Sequence, residues 1–88
     1  MPSYIVESYA NDDSVADARL RACMTAELTK GVRYVRTTFL PADETILHLF
    51  EAPSVESLRR AGLLAQLPFE RIVEAVERTA DRVRDGDR

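Results

Sequence analysis

Along the chain, short runs of β-branched and aromatic residues alternate with longer runs whose apolar positions recur at helical spacing. Tyr4-Ile5-Val6-Glu7-Ser8-Tyr9 is the first short run and predicts a strand, because such side chains suit a pleated, half-buried surface. Asn11, Asp12, Asp13 and Ser14 follow as a turn with several potential N-caps, each able to accept from the free amides of a first helical turn. A helix is predicted over roughly Val15 to Thr29. Ala16, Leu20, Met24 and Leu28 repeat every four residues with Cys23 on their flank, which predicts one apolar stripe turned to the core. Gly31, after Lys30, supplies the stop.

Val32 to Leu40 and Thr45 to Glu51 are two further strand-forming runs. The short Pro41-Ala42-Asp43-Glu44 turn between them predicts an antiparallel hairpin. Pairing Leu40 with Thr45 sets Phe39 opposite Ile46, Thr37 opposite His48 and Val35 opposite Phe50 on one face. Thr38 then opposes Leu47, Arg36 opposes Leu49 and Tyr34 opposes Glu51 on the other. Ser54 is placed to cap a second helix whose apolar side is Val55, Leu58, Ala61 and Ala65. Gly62 predicts a stop or bend, and Pro68 prevents continuation. The last segment has two readings. Phe69, Ile72, Val73, Val76, Ala80 and Val83 fall at helical spacing, yet Arg71 to Val76 also reads as a strand. A strand there completes the βαββαβ order of a ferredoxin-like α+β fold, an antiparallel sheet with two helices on one face.

At 88 residues the chain is long enough for one core and too short for two. A single domain over residues 1–80 is expected. Residues 81–88 are mostly charged and predict a flexible tail. A net charge of −3 argues against a broad nucleic-acid footprint, and no run approaches the roughly 18 apolar residues of a membrane helix. Met1-Pro2-Ser3-Tyr4 does not read as a signal peptide, so a cytoplasmic location is the default expectation. The single Cys23 excludes an internal disulfide and a multi-cysteine zinc site, and one His excludes a His-rich cluster.

Several stretches resemble a known group of small bacterial proteins. These are Tyr4 to Tyr9, Val32-Arg33-Tyr34-Val35-Arg36, Asp43-Glu44-Thr45, Leu49-Phe50-Glu51-Ala52-Pro53-Ser54, and Leu67-Pro68-Phe69-Glu70-Arg71-Ile72-Val73-Glu74-Ala75-Val76. The group is similar to nickel-binding proteins of ferredoxin-like fold and is otherwise of unknown function. The resemblance implies a ferredoxin-like domain, a homodimer, a strand over Arg71 to Val76, and a divalent metal such as nickel as a potential ligand. The chain departs from the nickel-binding pattern in its first strand, where Ser8 and Tyr9 stand in place of a His-rich segment.

In such a fold the two helices cover one sheet face and leave the other open. The covered face is expected to take Tyr4, Val6, Val35, Ile46 and Phe50. The open face is expected to carry Ile5, Glu7, Tyr9, Tyr34, Arg36, Thr38, Leu47 and Leu49. An open face with large apolar residues needs a cover. A second copy packed on it would form a homodimer, and a hollow between the copies would hold a small molecule. The candidate ligand-binding residues are Glu7, Tyr9, Tyr34, Arg36 and Thr38. Glu7, a carboxylate in a central strand, calls for a cation, and Arg36 is the expected partner; without one its pKa would rise and it could serve as a base or anchor. His48 is either a hydrogen-bonded structural residue or a metal ligand shared across a dimer axis. Cys23 is expected to be a buried, inert thiol. No cofactor is evident and no nucleophile–base pair or phosphate loop is visible. The reading is therefore a small dimeric ligand- or metal-binding protein. The alternatives are a cofactor-independent enzyme of the dimeric α+β barrel type and a purely structural partner.

Overall fold

The structure is a computed structural model that describes residues 1–76 and Arg78. Strand β1 (Ser3–Tyr9) leads to helix α1 (Val15–Leu28), then strand β2 (Arg33–Leu40). A 3-10 turn over Pro41–Asp43 leads to β3 (Thr45–Glu51), helix α2 (Val55–Leu64) and strand β4 (Arg71–Ala75). The strands form one antiparallel sheet in the order β2-β3-β1-β4, the ferredoxin-like arrangement. The segment after Pro68 is thus a strand up to Ala75; its helical spacing does not win, because Ile72 and Val73 alternate across the sheet against Val6 and Ile5. The tail expected over 81–88 lies outside the described residues.

Helix α1 starts from a tight polar turn. The Asn11 carboxamide oxygen accepts from the amides of Asp13 and Ser14, and the Ser14 hydroxyl accepts from the amide of Asn11. The predicted inner stripe of this helix is overturned. Leu20 is 58% exposed and Leu28 55% exposed, whereas Ala18, Ala22 and Thr25 are buried. Small side chains let the helix axis lie close to the sheet, and the Thr25 hydroxyl donates to the Arg21 carbonyl within the helix. Cys23 is only half-buried. Helix α2 begins with a capping box: the Ser54 hydroxyl accepts from the Ser57 amide and the Ser57 hydroxyl accepts from the Ser54 amide. Gly62 does not stop it. It faces inward beside Leu67 and Phe69, and the helix runs on to Leu64.

The main core joins both helices to the covered face through Tyr4, Val6, Ala22, Phe50, Leu58 and Ala61. A smaller cluster at one end of the sheet gathers Ala10, Ala18 and Ile46, with Phe39 and Val15 against it. Among the described residues no helix is long and apolar enough to cross a membrane.

Candidate functional site

Strand pairing sorts the sheet into cross-strand rows, and the rows decide which side chains meet. On the open face one row reads Thr38, Leu47, Glu7, Arg71. The next reads Arg36, Leu49, Ile5, Val73, and the next Arg33, Glu51, Ser3, Ala75. Leu40, Thr45 and Tyr9 form the row at the opposite end. Rows on one face lie about 7 Å apart and neighbouring strands about 4.8 Å. Glu7, Tyr9, Arg36 and Thr38 therefore share one patch of the open face, as the alternation predicts.

Two expectations fail. Tyr34 was expected on this face, but β2 carries a bulge between Tyr34 and Arg36 that absorbs Val35 as an extra residue. The predicted pairings hold from Leu40 to Arg36. Beyond the bulge Tyr34 pairs with Phe50 and Arg33 with Glu51, so Tyr34 turns to the helix side, in the place expected for Val35. The second correction concerns Glu7. Its carboxylate accepts from Arg71 Nε at 2.6 Å, not from Arg36. Arg71 is the adjacent residue in its row, whereas Arg36 lies two strands away and one row down. This hydrogen bond, with the charge of Glu7 added, raises the Arg71 pKa. Arg71 was missed because its face is fixed only once β4 is known to be a strand.

The open face has a distinct layout. Ile5, Leu47, Leu49 and Val73 occupy its middle, and Leu49 is already only 7% exposed. The Glu7–Arg71 pair sits at one corner. A second pair, Arg33 to Glu51 at 2.7 Å, sits at the diagonally opposite corner. Tyr9, 67% exposed, stands at the end of β1. A shallow hollow of about 200 Å³ lies beside it, lined by Ala10, Asn11, Ser14 and Glu44.

The covered face holds a second polar group. His48 is fully buried, and its Nδ1 shares a hydrogen bond with the Thr37 hydroxyl at 2.8 Å, as the predicted pairing implied. The Thr37 hydroxyl is in turn hydrogen-bonded to the Tyr34 hydroxyl. The Tyr34 ring tilts against Phe50 at 5.5 Å, and His48 meets both rings edge-on. His48 Nε2 is buried without a hydrogen-bond partner among the described residues. Burial lowers the His48 pKa from 6.5 to about 4, so the ring is neutral at pH 7. Thr37 beside His48 has the spacing of a nucleophile and base. A base of such low pKa is a weak proton acceptor, and an unpartnered Nε2 means that no third group orients the ring.

Among the described residues no set of metal donors assembles within one copy: no three His, Cys, Asp or Glu side chains converge. One His48 nitrogen is taken by Thr37, the other is enclosed in the core, and Glu7 is held by Arg71.

No family model matches the chain, and no curated protein matches it. Among solved structures, the crystal structure of SCO4226 from Streptomyces coelicolor A3(2) superposes with a TM-score of 0.69 at 21% identity, covering 88% of this chain and 99% of that one. That likeness establishes the shared fold.

Proposed function

We propose that the protein is a homodimeric small-ligand-binding protein whose two copies face each other through the open sheet face and hold the ligand between them. The observation that carries this is the layout of that face: an apolar middle of Ile5, Leu47, Leu49 and Val73 with an internal ion pair at each of two opposite corners. A domain this small buries a modest share of its surface alone, and on this face Ile5 and Leu47 stay half-buried and Val73 exposed, with Leu49 the one already buried. Each ion pair neutralises its own charges, so a second copy meets no net repulsion at those corners. Tyr9, Arg36 and Thr38 lie around the apolar middle and supply ring, guanidinium and hydroxyl contacts to a bound molecule. Tyr34, turned to the helix side, drops out of this set.

The ligand fits an organic molecule with one apolar side better than a metal held within a single copy. A nickel site, as the sequence resemblance implies, would need ligands from both copies or from residues 77 and 79–88.

Sedimentation equilibrium tests the dimer. The wild-type chain is expected to be dimeric, Leu47→Asp monomeric, and Glu7→Gln more weakly associated because Arg71 is left uncompensated in the interface. A monomeric wild type would refute the reading. Nickel titration by calorimetry separates the ligand classes: one metal per dimer, abolished in Leu47→Asp, would replace the organic ligand with a shared metal.

A further inference from the structure

The buried polar chain on the covered face has a feature that ligand binding on the open face does not use. His48 lies on β3, an inner strand, and its only side-chain hydrogen bond among the described residues runs to Thr37 on β2, an edge strand. β2 is weakened next to this contact by the bulge at Val35. Its remaining covered-face contacts, Tyr34 and Phe39, are half-buried rather than enclosed. Beside the strand ladder, Thr37 thus ties this edge strand to the interior through one hydroxyl, which also bonds Tyr34.

We propose that Tyr34, Thr37 and His48 form an acid-operated latch: a second proton on the His48 ring releases β2, with its Arg36 and Thr38, from β3 while β1 and β3 stay paired. The physical reason lies in the surroundings of the ring. In either neutral tautomer one nitrogen satisfies Thr37. The imidazolium has two N–H donors, and the buried Nε2 has no hydrogen-bond partner among the described residues. Among the described residues nothing close by compensates the charge. From β1 the covered face presents Tyr4, Val6 and Ser8, and from β4 Ile72 and the exposed Glu74, two strands away. The buried residues of α1 are Ala18, Ala22 and Thr25, and those of α2 Leu58, Ala61 and Gly62. Arg21 of α1 is engaged by Asp17 and by Ala65 and Gln66 beyond α2. The titratable groups on this face are thus the Tyr4 and Tyr34 hydroxyls and distant Glu74, and none solvates an imidazolium. The least costly escape is outward, past the half-buried Thr37 and Tyr34 at the sheet edge, because β2 has one strand neighbour and β1 and β3 have two.

Amide hydrogen exchange on the full chain, corrected for intrinsic rates, tests this at pH 7 and pH 4.5. Protection over residues 33–40 is expected to fall on the order of 100-fold, from two pH units below the unfolded histidine value; global unfolding frees the same ring, so residues 3–9 lose a similar factor, yet they stay better protected at both pH values and their exchange at pH 4.5 accelerates more steeply with urea than that of residues 33–40. His48→Gln and His48→Phe, polar and apolar replacements that do not titrate in this range, are each expected to abolish the difference; one folded variant suffices. Three outcomes overturn the proposal: unchanged protection of β2 at pH 4.5, the same urea dependence of exchange over β1 and β2, or the same loss in the folded variant.

Discussion

Deletion of Val35 removes a residue from the middle of a strand, a change that normally turns every side chain on one side of it to the wrong face. Here the bulge reverses the expectation. Val35 is the extra residue between the Tyr34–Phe50 and Arg36–Leu49 pairs, so its removal leaves a regular strand with both pairs intact. Losing a half-buried valine costs about 1 kcal/mol, and one ladder hydrogen bond of roughly 0.5–1.5 kcal/mol is available in return. The net change is expected within about 1 kcal/mol. Deletion of Thr37, two residues on, is the matched control. The bulge would absorb that loss too, keeping Tyr34 in place, but Arg36 would move into the position opposite His48. The His48 Nδ1 bond and the Tyr34 hydroxyl bond would both vanish. An unpartnered buried nitrogen costs about 1–3 kcal/mol, the lost hydroxyl bond about 0.5–1.5, and turning a guanidinium inward adds more, for roughly 3–6 in all. Shifting Thr38 and Phe39 instead would turn Phe39 away from Ile46 and saves nothing. At ~0.05–0.15 kcal/mol per residue the whole domain is stable by ~4–13 kcal/mol, so the second deletion removes much of it. Urea unfolding followed by far-UV circular dichroism is the assay. A midpoint near wild type for the Val35 deletion and a collapsed one for Thr37 support the bulge register. Equal losses, or a larger loss for Val35, would refute it.

Three further outcomes follow from the same structure. The unfolded chain binds a proton at His48 near pH 6.5 while the folded chain resists it down to about pH 4, so stability is full above pH 6.5 and falls as pH drops through that window. The full loss, reached well below pH 4, is about 3.4 kcal/mol at 1.36 per unit; about 2.4 kcal/mol of it falls between pH 7 and 4.5, and urea unfolding at those two pH values should show that difference in wild type and lack it in His48→Gln. Leu58→Ala empties a site that is 1% exposed and should cost about 2–5 kcal/mol by thermal or urea unfolding. Gly31→Ala places a side chain at φ 92°, in open space apart from Pro53, and should lower stability by about 1 kcal/mol through backbone strain alone.

Much of the fold was legible because local chemistry and topology agreed. The Ser54 cap, the Pro41 turn and the Thr37–His48 pairing each follow from residues close in sequence. Two things were not legible. Alternation cannot count a bulge, so Tyr34 was assigned to the open face by a rule that holds only for regular strands. Helical periodicity finds the most apolar stripe, but α1 packs through its smallest side chains, Ala18, Ala22 and Thr25, and leaves Leu20 and Leu28 outside. The Glu7–Arg71 pair combines both difficulties: the carboxylate was conspicuous, and its partner lay 64 residues away in a segment whose spacing favoured a helix.

The bulge also governs how the chain behaves among its own copies. An exposed outer strand is a template onto which another chain can add, and regular outer strands promote edge-to-edge growth. By inserting Val35, β2 interrupts its row of outward-facing amides and carbonyls and sharpens its twist, so a flat strand has no continuous partner there. The opposite edge, β4, is five residues long and carries Arg71 and Glu74. With both edges blunted, sheets of this protein are poorly suited to sideways polymerisation. A bulge-free variant that unfolds like the wild type should therefore still be the one that precipitates: the residue contributes little to folding and much to remaining in solution.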